Sequence, residues 1–168
     1  SYASPERGKW TGRKQYAGMR WAFERMSGSD GDYVRGLPGE MEIALDGGVA
    51  VYLTHRLEDP AACFRERTAQ LIVGGHTHRP EELRLHGRRS LNPGSVGLNM
   101  SGGFQAEYGL VEIENGRLHS ELIRAPYREE ALTAFLKEVD DEAALNWFQM
   151  LLASQARGVN YAAELFRL

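Results

Sequence analysis

The chain has 168 residues, of which 42% are hydrophobic and 26% charged, as in an ordinary globular domain. Its formal net charge of −3, from 20 basic and 23 acidic residues, excludes the strong field that nucleic-acid or membrane-surface binding needs. The single cysteine, Cys63, excludes an internal disulfide framework and indicates a reducing cytoplasm.

The apolar runs and the first residues of the chain do not change this assignment to ordinary globular domains. No apolar run is long enough to span a bilayer, and the start at Ser1–Pro5 has no signal-peptide pattern. The first residue is not methionine, which we interpret as a sign of a processed or cleaved chain.

The first elements predicted are a helix and a hairpin. Residues 13–26 place apolar side chains near a 3.6-residue period, which predicts an amphipathic helix that ends at 27–30. Alternation over 41–45 and an apolar run over 49–53 predict two strands, joined through Asp46-Gly47-Gly48.

The next elements bring three histidines together. A strand ending at His55 precedes a helical segment at about 60–69 and the buried strand 71–73, which leads into His76 and His78. Strands joined by such a helix are parallel by strong preference, so both end at one edge of the sheet, where open α/β sheets bind ligands.

The second half predicts two hairpins and then helices, with strands at 82–86 and 89–91, a turn at 92–95, and strands at 107–113 and 118–124. From Arg128 onward, helix formers predict helices at 129–139, 141–156 and 161–166. We expect residues 1–127 to form one α/β body and residues 128–168 a helical extension, packed on that body or on a partner subunit.

The helix predicted at 141–156 carries an almost apolar stripe, made of Ala144, Leu145, Phe148, Leu151, Leu152 and Gln155. Such a stripe must be covered. The sequence slightly favours a second subunit, hence a homodimer, or a cap-like contact. The alternative is packing against the helix at 13–26.

The three imidazoles are suitable ligands for a borderline metal such as zinc, manganese, iron or nickel. His76 and His78 come from one loop, and His55 from the neighbouring strand end. The competing interpretation is that these are turn or capping histidines that hold no ion. The convergence of a third histidine favours the metal site.

Three motifs carry a resemblance to a known family. Gly74-Gly75-His76-Thr77-His78-Arg79-Pro80 is followed by Leu91-Asn92-Pro93-Gly94-Ser95-Val96-Gly97 and preceded by Tyr52-Leu53-Thr54-His55. This order resembles the C-terminal motifs of calcineurin-like metallophosphoesterases, in particular their small prokaryotic phosphodiesterase branch. The resemblance covers about residues 13–127.

The resemblance implies the C-terminal part of a four-layer α/β/β/α sandwich with two divalent metal ions (manganese, iron, zinc or nickel) at the sheet edge. His55 and His76 would bind one metal and His78 the other, which makes His76 and His78 the candidate catalytic residues. Asn92 and Gly94 would shape the rim of the site. A metal-bridging hydroxide would attack the phosphorus of a phosphate mono- or diester in line.

The sequence departs from the family in its first half. The family's Asp-x-His, Gly-Asp-x-x-Asp and Gly-Asn-His-Asp/Glu motifs do not occur in the 168 residues. Asp30-Gly31-Asp32 does not replace them, because a solvated turn or a helix cap explains it. We therefore expect the N-terminal part of the same domain to come from a segment outside this chain.

Two arginines beside the histidines are candidate substrate ligands. Arg56 stands where the family usually has glycine, so it would contact a substrate phosphate or crowd the second metal. Arg79 would hold a phosphate by a bidentate contact, although a surface ion pair explains it equally well. Two other functions stay open: a catalytically silent remnant that acts as a binding or scaffold module, and a mononuclear three-histidine site.

Overall fold

The computed structural model describes residues 16–159 and Tyr161. The first residues of the helix predicted at 13–26 lie outside the described residues. Apart from Tyr161, the helix predicted at 161–166 does so too.

The described elements confirm a mixed α/β fold. In chain order they are α1 (Ala17–Glu24), α2 (Gly28–Gly36), β1 (Glu40–Leu45), β2 (Val49–Arg56), α3 (Pro60–Glu66), β3 (Leu71–Gly75), β4 (Pro80–Leu85), β5 (Arg88–Pro93), β6 (Gln105–Glu114), β7 (Arg117–Pro126), α4 (Glu129–Glu138) and α5 (Glu142–Arg157). No helix among the described residues is both long and apolar enough to cross a membrane.

Seven strands form two sheets. The larger has the order β1-β2-β3-β5-β4, and in it β2, β3 and β5 are parallel while β1 and β4 pair antiparallel at the two edges. The smaller is the antiparallel β6–β7 hairpin. Thus the hairpins predicted at 41–53, 82–91 and 107–124 are confirmed, as is the parallel pairing around the helix near residue 60.

Side chains of the central strands point alternately to the two faces of the larger sheet, and both faces are covered. Val51 and Leu71 face β6 and β7, whose Val111 and Leu122 pack against them. The next residue along β3, Ile72, faces the opposite way and packs on Phe64 of α3. The result is a helix layer and two strand layers, which matches the C-terminal part of the predicted sandwich.

The segment around Asp30 is predicted as a turn, but it forms the first turn of α2. The Ser27 side chain accepts from the Asp30 amide at 3.1 Å, and the Asp30 carboxylate accepts from the Ser27 amide at 3.1 Å. This capping box starts a helix where the sequence analysis places only a stop, since Ser-x-x-Asp is itself a start signal. The helix-cap interpretation of Asp30 is right.

Arg88 lies in a strand and not in a basic turn. Its guanidinium donates to the carbonyl oxygens of Phe64 at 2.6 Å and of Ala69 at 2.8 Å, and also to that of Arg67. These carbonyls lie at the end of α3 and in the connection to β3. Arg88 therefore fixes the connection between the two histidine-bearing strands.

The apolar stripe of α5 is covered within the chain. Gly18 of α1 lies so close to α5 that a Cβ there would overlap the Trp147 ring. Phe148 packs edge-to-face on Trp21 of α1, with ring centroids 5.7 Å apart, and on Phe135 of α4 at 5.0 Å. The stripe therefore follows the alternative interpretation, packing against the first helix, and the homodimer stays a prediction.

A hydrogen bond and an ion pair join the first helix to Asp140, which lies just before α5. The Trp21 indole N–H donates to the Asp140 carboxylate at 2.8 Å, and Arg25 forms an ion pair with the same carboxylate. The indole hydrogen bond, helped by Arg25, holds the pKa of Asp140 below its ordinary value. The charged form of Asp140 therefore stabilises the contact between α1 and the start of α5.

We predict that Asp140→Asn lowers the melting temperature at neutral pH. Because folding lowers the pKa of Asp140, its contribution is present above the ordinary aspartate pKa and is lost as the pH falls through the lower folded value. The difference between the wild-type and variant melting temperatures should therefore disappear in acid. Asp32→Asn is the control, because Asp32 forms an ion pair only with Arg35 of its own helix. A variant that melts like the wild type at pH 7 would contradict this role.

Candidate metal centre

The candidate site lies at the edge where the three parallel strands end. His55 is near the end of β2, His76 directly follows β3, and Asn92 is near the end of β5. The pairing of β2 with β3 shifts register between Leu53 and Arg56, so that Arg56 pairs with Gly75. The predicted parallel pairing, which brings the ends of β2 and β3 to one edge, is therefore present in the fold.

His55 and His76 face each other across this edge. Their ring centroids are 5.5 Å apart with an angle of 78° between the ring planes, and both side chains are exposed. Gly75 lies beside the His55 ring, since a Cβ there would be at an ordinary contact distance of 3.7 Å from His55 Nδ1. At Gly74 glycine is needed, because a Cβ there would lie 2.5 Å from Leu57 Cβ.

His78 is oriented by the loop that follows β5. Its Nδ1 donates to the Leu98 carbonyl oxygen at 2.8 Å, and its own carbonyl oxygen accepts from the Met100 amide at 3.0 Å. A carbonyl oxygen only accepts, so Nδ1 carries the proton and the Nε2 lone pair of the neutral ring is left available. Such an outer hydrogen bond is typical of a metal-binding histidine.

His76 and His78 both have left-handed backbone conformations. The φ angle is 73° at His76 and 57° at His78, values that are uncommon for residues other than glycine. The Thr77 amide between them donates to the Gly75 carbonyl oxygen at 2.9 Å, which tightens the turn. The chain thus holds two imidazoles in a strained turn, as is typical of functional sites.

Asn92 connects the histidine turn to β5. Its Nδ2 donates to the Gly75 carbonyl oxygen at 3.0 Å and to Thr77 Oγ1 at 2.8 Å, while its Oδ1 accepts from the Gly94 amide at 3.1 Å. All three bonds hold backbone or loop atoms. Residues 92 and 93 belong to β5, so the predicted turn at 92–95 begins later than expected.

Glu107 lies against Gly94, in the loop that follows β5, and the sequence analysis did not identify it as a candidate site residue. Its side chain is fully buried, and its Oε1 lies 3.3 Å from Arg124 Nε, across the β6–β7 pair. Neither carboxylate oxygen has a hydrogen-bond partner among the described residues. The signal was present in the sequence, because Glu107 shares its strand face with the inward-pointing Val111 and Ile113.

The two candidate substrate arginines are both exposed but differ in their partners. Arg56 Nε forms an ion pair with Glu58 Oε1 at 2.7 Å. The Arg79 guanidinium makes no hydrogen bond or ion pair with the residues that the structure describes, although its backbone amide donates to Thr77 Oγ1 at 3.4 Å. Arg79 is therefore the more available cation beside the histidines.

The donor chemistry of this edge fits a divalent metal. Neutral imidazole nitrogens are good ligands for zinc and for neighbouring transition metals. Within residues 16–159, however, no three His, Cys, Asp or Glu side chains lie close enough together to hold an ion by themselves. Among the described residues, the chain brings His55 and His76 together, holds His78 separately, and adds no carboxylate that would complete a group of three.

A sandwich with histidines at the ends of parallel strands defines a metallophosphoesterase-type fold. The sequence model of the calcineurin-like phosphoesterase superfamily domain matches residues 25–116, more than half of the chain. The chain therefore belongs to this superfamily of metal-dependent phosphoesterases, which are hydrolases. A search of the curated proteins found no match.

Two solved structures share the fold, and a third is similar over a smaller part of the chain. The metallophosphoesterase from Sphaerobacter thermophilus is 22% identical with a TM-score of 0.60, over 77% of this chain and 65% of its own. A hypothetical protein from Pyrococcus horikoshii is 14% identical with a TM-score of 0.61, over 88% and 68%. A predicted phosphoesterase from Streptococcus pneumoniae is 19% identical with a TM-score of 0.46, over 56% and 59%. The chain thus spans less than two thirds of the Sphaerobacter and Streptococcus proteins.

We predict that Gly94→Ala destabilises the rim of the site. Gly94 has a φ of 88°, and a Cβ there would lie 2.8 Å from Glu107 Cβ, so the buried carboxylate would have to move. We expect a loss of about 3 kcal/mol in the free energy of unfolding, measured with urea. The control is Gly87→Ala, with a φ of 77° and open space around the new atom, for which we expect about 1 kcal/mol. Equal losses in the two variants would contradict the contact with Glu107.

Proposed function

We propose that this chain supplies the histidine half of a dinuclear metal centre that hydrolyses phosphate mono- or diesters. The observation that carries the proposal is the meeting of His55 and His76 at the ends of two parallel strands, 5.5 Å apart by ring centroids. The hydrogen bond that leaves His78 Nε2 available for coordination adds to it. These are the three histidines of the family motifs.

Each residue has a distinct proposed role. His55 and His76 would hold one metal ion and His78 the other, with manganese, iron, zinc and nickel all acceptable to imidazole ligands. Such ions would activate water and neutralise charge on the phosphoryl oxygens. His76 and His78 are the proposed catalytic residues. Asn92 and Gly94 would keep the loops in place without binding metal.

The carboxylate ligands of this centre would come from the N-terminal part of the same domain. Two features of the described residues support this. First, no carboxylate lies with the histidines. Second, β6 and β7 form a sheet of only two strands, and its outer face exposes Tyr108 by 43% and Leu110 by 45%. An isolated pair of strands is marginally stable, and further strands of the domain would both extend it and bring in the ligands.

A small phosphoester is the proposed substrate, with Arg79 as its first anchor. Because Arg79 is exposed and follows the histidine turn directly, its planar guanidinium is suited to a bidentate contact with a phosphate. Arg56 would contribute less, since Glu58 already neutralises it. We also propose a cytoplasmic location, supported by the single free cysteine, Cys63.

The test is metal content and activity with and without the complementary part of the domain. The 168-residue chain and the product of its whole open reading frame are each purified. Bound metals are counted by mass spectrometry, and hydrolysis of bis(p-nitrophenyl) phosphate is followed. The proposal requires two metals and activity in the product that includes the aspartate motifs. A metal-free, inert whole product would contradict it and favour the scaffold function.

We predict that His76→Ala in this whole product removes at least one metal and abolishes hydrolysis, because a direct nitrogen ligand is lost. His86→Ala is the matched control. His86 is also exposed with a positive φ of 50°, but it lies in the β4–β5 turn. Unchanged metal content in His76→Ala would contradict its assignment as a ligand. One bound metal in the unmodified protein would instead favour the mononuclear alternative.

We predict that Arg79→Ala raises KM for the same substrate about tenfold and leaves kcat almost unchanged, because a phosphate contact made equally in the ground and transition states is lost. Arg56→Ala should have a smaller effect, since its guanidinium is already paired with Glu58. Steady-state kinetics on both variants provide the measurement. A larger effect at Arg56 than at Arg79 would reverse this assignment.

A further inference from the structure

The loop between β5 and β6 contacts His78, and the end of α5 contacts the same loop. Residues 94–104 form this loop, which we call the His78 loop. It contacts His78 twice, through the Leu98 carbonyl oxygen to Nδ1 at 2.8 Å and through the Met100 amide to the His78 carbonyl oxygen at 3.0 Å. The orientation of the imidazole therefore depends on where the backbone of residues 98–100 lies.

The end of α5 packs against the same stretch of backbone. The Gly103 amide donates to the Ala156 carbonyl oxygen at 3.3 Å. A Cβ on Gly158 would lie 3.1 Å from the Gly102 amide nitrogen and 3.2 Å from the Met100 carbonyl oxygen. Met100 thus contacts His78 through its N–H group and the end of α5 through its C=O group.

Backbone hydrogen bonds hold Gly158 in place at the end of α5. It ends α5 in the left-handed conformation with a φ of 66°, and its amide donates to the Gln155 carbonyl oxygen at 3.2 Å. The next amide, of Val159, donates to the Ser154 carbonyl oxygen at 3.0 Å, so the end of the helix is closed by two bonds. Ser154 Oγ also accepts from the Tyr161 amide at 3.1 Å. At the same time the stripe of α5 is anchored on α1 and α4 through Trp147 and Phe148.

We propose that Ala156 and Gly158, at the end of α5, are positioning residues for His78. They act through Met100 and Gly103 of the His78 loop and touch neither the metals nor the substrate. The sequence match to the superfamily domain ends at residue 116, so Ala156 and Gly158 lie outside the matched range. Its consequence for catalysis rests on the proposed function, whereas its effect on the His78 imidazole does not.

The test compares two glycine-to-alanine variants of the 168-residue chain. Gly158→Ala places a Cβ against Gly102 and Met100. Gly87→Ala imposes a similar left-handed strain, with a φ of 77°, in the β4–β5 turn, where the new atom meets nothing. Both variants should lose thermal stability, and Gly158→Ala should lose more, because its Cβ also crowds Gly102 and Met100. Only Gly158→Ala should disturb His78.

Two measurements on the metal-free chain report on His78 directly. The ¹⁵N chemical shift of His78 Nδ1 reports the proton that it donates to Leu98, and hydrogen exchange reports the bond from the Met100 amide. In Gly158→Ala we expect the shift to move toward that of a free imidazole. Met100 exchange should be at least about tenfold faster, as for loss of a bond of about 1.4 kcal/mol. Neither change should occur in Gly87→Ala.

A zinc titration by calorimetry, with Zn²⁺ alone, adds the functional readout. Loss of an outer hydrogen bond of a ligand typically costs about tenfold or more in metal affinity, and this loss is expected for Gly158→Ala relative to Gly87→Ala. If the 168-residue chain alone binds no Zn²⁺, as the lack of a three-ligand group among the described residues allows, the titration is repeated on the product of the whole open reading frame, and a whole product that binds none contradicts the proposed function. The two measurements on the metal-free chain still decide the positioning role.

A milder variant guards against misfolding of Gly158→Ala. Ser154→Ala removes the hydroxyl that accepts from the Tyr161 amide and adds no backbone strain. It should change the His78 shift and the Met100 exchange in the same direction but by less. A wild-type His78 shift and wild-type Met100 exchange in a folded Gly158→Ala chain would overturn the proposal. So would wild-type values in Ser154→Ala if Gly158→Ala does not fold.

Discussion

The parallel pairing of β2, β3 and β5 is the constraint on which the other features depend. Parallel strands end at the same edge, so three segments that are far apart in sequence deliver His55, the His76–His78 turn and Asn92 to one place. Such pairing requires a covered connection, and Arg88 fixes one by binding carbonyl oxygens at the end of α3. The edge that carries the histidines is thus a consequence of the sheet and its crossover.

Several features around this edge of the sheet lower the stability of the fold. Two histidines have positive φ angles, and the fully buried Glu107 carboxylate has only an ion-pair partner in Arg124 among the described residues. Each of these features disfavours folding. They are tolerated because Asn92 ties the histidine turn to β5 and because the buried strands beneath supply apolar contact. Strain of this kind is expected where a loop must present ligands in one orientation.

Elements outside the parallel strands also contact the residues around the site. α5 packs on α1 through an aromatic cluster, and its end lies close to the loop that contacts His78. β6 and β7 cover the face of the larger sheet opposite α3 and leave Tyr108 and Leu110 exposed.

Local patterns in the sequence determined most elements. Alternation and Asn-Gly or Gly-Gly turns predicted the hairpins, the motif pair indicated the family, and the strand–helix–strand order placed the three histidines at one edge. Short-range signals are enough for these features because turn chemistry and side-chain periodicity act within a few residues. The capping box at Ser27 was equally local and was simply missed. The exact site assignments of the histidines stay predictions.

Tertiary structure alone decided three things. The stripe on α5 required a cover, but only the packed helices show that α1 and α4 provide it, since an apolar face does not specify its partner. Strand periodicity indicates an inward-pointing Glu107, but only the tertiary structure shows that Gly94 and Arg124 lie against its carboxylate. His78 acquired its proton arrangement from the carbonyl of Leu98, twenty residues away. Each depends on contacts between segments distant in sequence, which periodicity and motifs do not encode.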